Sequence, residues 1–546
     1  MRRSVGFITL GLCGLLAATN VYAQAAHGGS VISDPELGDL PSSDASSSDG
    51  AIIDDPELAG TGSSTPTPSL DTGSRPAPTS EVHLVLHARG NRDLRQDDPR
   101  EEIWESTTLF SLDAILRRSD SLRFGLGLVA RYHFASLAAD LPDAKAERFE
   151  LDALPTSAYL DATLASGFHV RLGYQPVPLG RMDIFSSVNV LSVADLRDGA
   201  ATIPGRPEVG QIGMRIDYDP AAWLSLQGVY LPFFVPHIVS VTDSDYALFP
   251  GNQANMDTAL MAFEDYLSPE ELSAALKANL LRGARDRLGT STLSAFIPEP
   301  RLDQPQGALS ATIHGTFGEL GFIAVTALEH LPTFRLSDAF IAQLANPNGN
   351  ETPDPNPISV QYSRFAVFSA DASIDVQPFQ LKFEAAYQMH RAQMAVGTAW
   401  ENDPYAIPVP GFTDIVQLGG HIEYVEDNTW LMAVEAFALY AVTLPDDPRR
   451  GWMFFEAGRF MRGIAGMFGY TADFGLKLQL SAAWLSGPTV VLAPSIGFDI
   501  VSRLTIEVGA FIIDGQLPPM FSTPILSIGG ILNNLDHVFV GVRGAL

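Results

Sequence analysis

Cysteine is nearly absent: Cys13 is the single thiol among 546 residues, and it lies in the apolar start of the chain. Downstream of it, disulfides, thiolate metal sites and cysteine nucleophiles are excluded together. Positive charge is also scarce, with 34 Lys and Arg against 63 Asp and Glu, for a net charge of −29. A surface of that sign does not hold phosphate backbones, so nucleic acid is not expected as a partner. Although 46% of the residues are hydrophobic, no long apolar run follows the first two dozen. Helices that cross a bilayer need about 20 such residues in succession, so a helical membrane domain is excluded. Gly-x-Ser-x-Gly, His-Glu-x-x-His and Gly-x-x-x-x-Gly-Lys patterns are missing as well. The expectation is a non-enzyme with no cofactor and no metal site.

What is present begins with a leader. Met1-Arg2-Arg3, the apolar stretch Val5 to Ala18 and the Val21-Tyr22-Ala23 site have the layout of a cleavable secretory signal over residues 1–23. Residues 24–80 are rich in Ser, Asp, Pro and Gly, with too little apolar surface to offset the entropy of ordering, and read as a disordered acidic tether. Within it, Ile32-Ser33-Asp34-Pro35-Glu36-Leu37 is echoed by Ile53-Asp54-Asp55-Pro56-Glu57-Leu58. The repeat suits bivalent docking to a periplasmic partner, and a duplicated spacer is the plainer alternative.

From residue 81 onward the apolar pattern has period two. In the run from Ser121 to Ala135, Leu122, Phe124, Leu126, Leu128, Ala130, Tyr132 and Phe134 share one face, and Arg123, Gly125, Gly127, Arg131 and His133 the other, with Val129 the apolar exception. A strand separates these sets and a helix mixes them. The same separation recurs at Pro378 to His390 and Phe474 to Trp484. Segments of this kind begin near 81, 107, 121, 150, 167, 209, 223, 307, 320, 360, 377, 414, 428, 451, 474, 489, 503 and 535. That predicts an all-β fold, a single closed antiparallel transmembrane barrel of about 18 strands over 81–546, or 16 if the 451–487 pair merges. Alternate connections are short turns, and the others are long. The longest, 237–306, carries a helical pattern, in which Ser268-Pro269-Glu270-Glu271 caps Leu272 to Leu288.

If the apolar face meets lipid, the other face lines a lumen. The expected pore-lining residues are His87, Arg89, Arg123, Arg131, His133, Arg171 and Arg215 on the early strands, and Asp371, Glu384, Glu423, Glu435, Asp499 and Glu507 on the later ones. A basic arc would then face an acidic arc across the bore, unless these charges pair with neighbours such as Arg215/Asp217 and Lys382/Glu384. The segment after Arg181, with Asp183, Asn189, Asp195 and Arg197, is rich in hydrogen-bonding groups and is expected to fold inward as a constriction.

The last strand, with Val538, Val540, Val542 and Leu546 on one face, resembles the C-terminal insertion signal of Gram-negative outer-membrane barrels, although it ends in Leu and not an aromatic. Between Ala158 and Pro236, the run Val170-Arg171-Leu172-Gly173-Tyr174-Gln175, then Gly180-x-x-Asp183, Asn189, Asp195-x-Arg197 and Gly213-x-Arg215-x-Asp217-Tyr218, is similar to a mostly uncharacterised proteobacterial group of porin-like barrels that is itself close to alginate-export channels. The resemblance implies an outer-membrane channel for small solutes, with outer-membrane lipid and the barrel-insertion machinery as partners and the tether in the periplasm. An outer-membrane hydrolase whose active site is assembled from separate strands, and a plugged structural or adhesive barrel, are the alternative readings.

Overall fold

A segment whose side chains alternate between apolar and polar is stable only when each face finds its own surroundings and each backbone edge is paired. Closure of many such strands into one cylinder meets both demands. In the computed structural model, the described residues are 79–94, 102–119, 121–137, 147–182, 185–195, 209–238, 304–330, 333–336, 358–397, 409–426, 429–442, 450–452, 460–486, 489–501, 503–515 and 536–545. The leader, the tether up to residue 78, the helical pattern within 237–306, and Asp183 and Arg197 lie outside them.

In chain order the strands are β1 (Thr79–Asp93), β2 (Glu102–Ser119), β3 (Leu122–Leu137), β4 (Glu147–Ala165), β5 (Phe168–Gln175), β6 (Gln211–Ala221), β7 (Leu224–Leu231), β8 (Gln306–Gly315), β9 (Gly318–Leu328), β10 (Thr333–Leu336), β11 (Ile358–Gln361), β12 (Arg364–Val376), β13 (Phe379–Gly397), β14 (Val409–Glu426), β15 (Trp430–Ala441), β16 (Arg450–Trp452), β17 (Phe460–Thr471), β18 (Leu476–Leu485), β19 (Thr489–Val501), β20 (Leu504–Gly515) and β21 (His537–Ala545). Successive wall strands pair antiparallel, β9 passes directly to β12 and β15 to β17, and β1 closes the ring against β21 from Val85↔Ala545 to Asp93↔His537. The wall has 18 strands, one at each segment expected from the alternation, and the 16-strand alternative does not form. Near residue 451 the expected segment splits: Phe460–Thr471 enters the wall, and Arg450–Trp452 pairs with Ala395–Gly397 at the far end of β13. β10 and β11 form a separate hairpin.

Tight turns close one end of the cylinder, for example Ser166-Gly167 between β4 and β5 and Thr316-Phe317 between β8 and β9. The longer connections gather at the other end, where β18 to β19 is the one short exception. The apolar parity faces out: Leu126, Leu418 and Val540 are 52–55% exposed, while Arg131 and His133, on the opposite parity, are 2% exposed. Val129, the apolar exception, turns inward and packs on Leu109.

Candidate functional site

After β5 the described part of the connection to β6 stays within the barrel. Residues 176–182 and 185–195 turn back into the lumen as a strap and lie along the inner wall. Val177, Leu179, Val188 and Leu191 of the strap pack on inward-facing Val229, Leu231, Ala308, Ile323, Val325, Ala327, Phe365, Val367 and Ala386. Val188 and Leu191 are wholly buried, and burial of each such side chain contributes roughly 1.5–3 kcal/mol.

Polar anchors fix the strap beyond this apolar patch. Arg181 donates to Glu319 of β9 and Asp371 of β12. Burial opposes its charge, but the two carboxylates outweigh that effect and hold the guanidinium more firmly protonated than usual. The Phe185 N–H donates to Glu435 of β15, and the Ser187 N–H to Glu384 Oε1 of β13 at 2.5 Å. In return, Gln417 Nε2 donates to the Phe185 carbonyl at 2.7 Å, and the Phe185 and Phe437 rings lie 4.2 Å apart. Two glycines make room. Gly180 has φ 88° and sits where a Cβ would meet Glu384 Oε2 at 2.9 Å, and a Cβ at Gly419 would meet Met182 Cε at 2.9 Å.

Of the expected constriction residues, Asn189 staples the strap to itself, accepting from Leu179 N at 3.2 Å and Ser192 Oγ at 2.6 Å. Asp195 is buried and bridges in parallel to Ile238. At this mouth, the Ala194 N–H donates to His237 Nδ1 at 3.0 Å, His237 stacks on His330 with centroids 4.9 Å apart, and His330 Nδ1 donates to Val235 O at 2.7 Å. Burial pushes His237 well below its ordinary value and His330 down to about 4.

The thirteen expected pore-lining residues all occupy the parity opposite the apolar belt. They are not brought to one focus but are distributed around the wall, and most are paired, either across strands or two residues along the same strand. Arg89 bonds Asn91 Oδ1 at 2.9 Å and lies 3.5 Å over the Phe539 ring. Arg131 pairs with Glu150 at 2.9 Å, Arg171 with Asp161 at 3.1 Å and Arg215 with Asp217 at 2.8 Å. His133 Nδ1 meets Thr107 Oγ1 at 2.9 Å, Glu435 meets His421 Nδ1 at 3.2 Å, Glu423 meets Lys382 at 3.9 Å, and Asp499 meets Lys477 at 2.9 Å. His87 faces Leu109 across β1 and β2, Arg123 faces Asp161 across β3 and β4, and Glu507 faces Gly497 across β19 and β20.

Of the two readings of the inward charges, pairing with neighbours is the one these contacts support. The early wall is not a basic arc, because Glu105, Asp113, Glu150 and Asp152 share its inner face. On the later wall, Asp371, Glu384 and Glu435 serve as anchors for the strap and do not stand as a free acidic arc.

Several site residues had escaped the sequence reading. Arg181 is the strap's double anchor. Glu319, near the start of β9, accepts from it and also meets His314 Nδ1 at 2.8 Å, while His314 Nε2 lies 2.9 Å from Ser225 Oγ. The strap left a signal in the sequence: Phe322 to Ala327 and Phe365 to Phe368 lose their alternation, and an apolar inner face in a barrel wall must be covered by something.

A closed wall with an apolar outer belt defines a transmembrane β-barrel, and the strap packs against part of its inner face. No family model matches this sequence, and no curated protein matches it. Among solved structures, the chain is similar to Salmonella typhi OmpF in complex with daunomycin, at 8% identity and TM-score 0.38, covering 86% of this chain and 97% of that one. It is similar to Acinetobacter baumannii OccAB1 at 7% identity and TM-score 0.43, covering 86% and 96%. It is similar to Pseudomonas aeruginosa OccK2 in complex with glucuronate at 10% identity and TM-score 0.42, covering 86% and 98%. These likenesses concern the fold, and no sequence relative supports the closeness of residues 158–236 to alginate-export channels.

Proposed function

We propose that this chain is a porin-like channel of a Gram-negative outer membrane, passing small polar solutes through a bore whose width the strap sets. The observation that carries the reading is the anchoring of residues 176–195 to β9, β12, β13 and β15 inside a closed wall, which narrows the lumen over part of its length. Cross-strand ion pairs cancel much of the field of the wall, so size excludes solutes more strongly than charge does. On this reading the tight turns face the periplasm and the long connections face outward. The tether and its repeated unit then reach a periplasmic partner, and β21 is the strand read by the insertion machinery.

Liposome swelling with sugars of increasing size tests the proposal. Flux of small sugars with a sharp cut-off is expected, and loss of anchors in an Arg181→Ala/Glu384→Ala variant should raise single-channel conductance by about twofold. A reconstituted chain that passes no solute of any size would end the channel reading.

One observation favours hydrolysis as a second reading. Ser225, His314 and Glu319, on three neighbouring strands, form a hydrogen-bonded row in the order of a nucleophile, a base and its orienting acid. It ranks second because such a row equally stiffens a wall. Cleavage of p-nitrophenyl acetate by the purified chain, lost in Ser225→Ala, would establish it; equal rates in both proteins would dismiss it.

A further inference from the structure

The outer face of the wall is apolar along most of its length, and one group of polar side chains interrupts it at the long-connection end of β9, β12, β13 and β14. Arg364 opens β12 on the parity of Ala366 and Phe368, the face turned away from the lumen, and is exposed. Its Nη1 donates to Pro305 O at 2.9 Å and to Thr326 Oγ1 at 3.2 Å. No carboxylate among the described residues pairs with it.

One strand along, β13 bulges between Gln388 and Arg391. The bulge holds His390 at φ 62°, a left-handed backbone that side chains of its size seldom adopt. The His390 ring is thereby laid flat on Phe412, with centroids 4.1 Å apart and planes 6° from parallel. The nearby carboxylate of Asp414 is engaged at both oxygens, by the His390 N–H at 2.9 Å and the Tyr387 hydroxyl at 2.7 Å.

Between these groups is a hollow of about 440 Å³, lined by Gln304, Tyr362, Ser363, Arg364, His390 and Phe412. The Tyr362 hydroxyl, on a ring that packs 4.9 Å from Phe234, is buried with no hydrogen-bond partner, a condition that native proteins relieve with water or a ligand. Toward the belt the same face continues into Phe368, Phe383 and Tyr387, at 53%, 49% and 37% exposure. A cation and an imidazole above an aromatic column match an amphiphile that carries an anionic head, because a free anion uses only the upper half of that surface.

We propose that this hollow binds the phosphorylated headgroup of a membrane lipid, with Arg364 and His390 on the phosphate and the Phe368–Phe383–Tyr387 column against the acyl chains. The proposal rests on the transmembrane reading of the barrel but not on what passes through it. Arg364 supplies a charge-assisted contact to the phosphate, and the bulge sets the His390 ring at the height of the headgroups.

The full chain in non-ionic detergent is titrated by native mass spectrometry with dihexanoyl phosphatidic acid, dihexanoylglycerol and inorganic phosphate. Phosphatidic acid is expected to bind at least about tenfold more tightly than either of the others, and Arg364→Gln to remove about tenfold of that affinity. His390→Asn, which tolerates the left-handed backbone, should weaken binding several-fold and decides the matter independently if the Arg364 variant does not fold. Bilayer conductance should be unchanged in both variants, because the hollow lies outside the lumen; this separates failure of the lipid site from failure of the channel. Equal binding of dihexanoylglycerol, inorganic phosphate as tight as the lipid, or variants that bind like the parent would overturn the proposal.

Discussion

A single methyl group tests how the strap is held. Gly180 is in left-handed backbone, and Ala there is expected to cost about 1–2 kcal/mol and to push against Glu384. The effect should appear as noisier single-channel current with little change in barrel melting. Arg171 and Asp161 form a pair whose side chains are 9% and 6% exposed, under the Tyr159 ring. Asp161→Asn removes a buried charge partner of this guanidinium and should destabilise the barrel by about 3 kcal/mol in urea unfolding. The mouth titrates differently. Because burial lowers the His330 pKa from 6.5 to about 4, the unfolded segment binds more protons than the folded one throughout that interval. The stability of the tie is therefore complete above about 6.5 and falls as pH drops toward about 4, by on the order of 3 kcal/mol. His237 is shifted in the same direction. Hydrogen exchange at the Ala194 and Ile238 amides should accelerate over that window, and exchange independent of pH, once corrected for chemical rate, would refute the assignment.

As an element, the strap is held by two kinds of force that can be separated. Its apolar side lies on β7, β8, β9, β12 and β13, and its polar side is tied to β9, β12, β13 and β15. Leu191→Ala, at a wholly buried position, should cost about 2–4 kcal/mol, felt by the strap and not by the wall. Conductance should rise while the melting of the β-signal stays close to that of the parent. That the segment after Arg181 is locally structured was legible from its dense polar groups, among them Asn189 and Asp195. Its anchors were not, because Arg181 meets Asp371 across 190 positions of sequence and no local pattern records such a partner. The apolar stretches in β9 and β12 carried half of the information, showing that something covers the wall without saying what.

For the molecule as a whole, the outward belt makes a depth-dependent prediction. Leu418, near the middle of β14 and 55% exposed, should lose about 2–4 kcal/mol on replacement by Arg, whereas Val376→Arg, beside a turn, should lose about 0–1 kcal/mol. Equal losses at both sites, measured by reversible unfolding in liposomes, would argue against hydrocarbon around this wall. Strand number, strand order and the sidedness of loops and turns were all readable from the chain, because a period of two assigns every side chain to a face and closure leaves few ways to join neighbours. Which inward charges pair, where the strap is anchored, and that Ser225, His314 and Glu319 stand in a row were decided only by the tertiary structure. Alternation determines the face a residue occupies, but its partners depend on register and on how far a segment reaches across the bore.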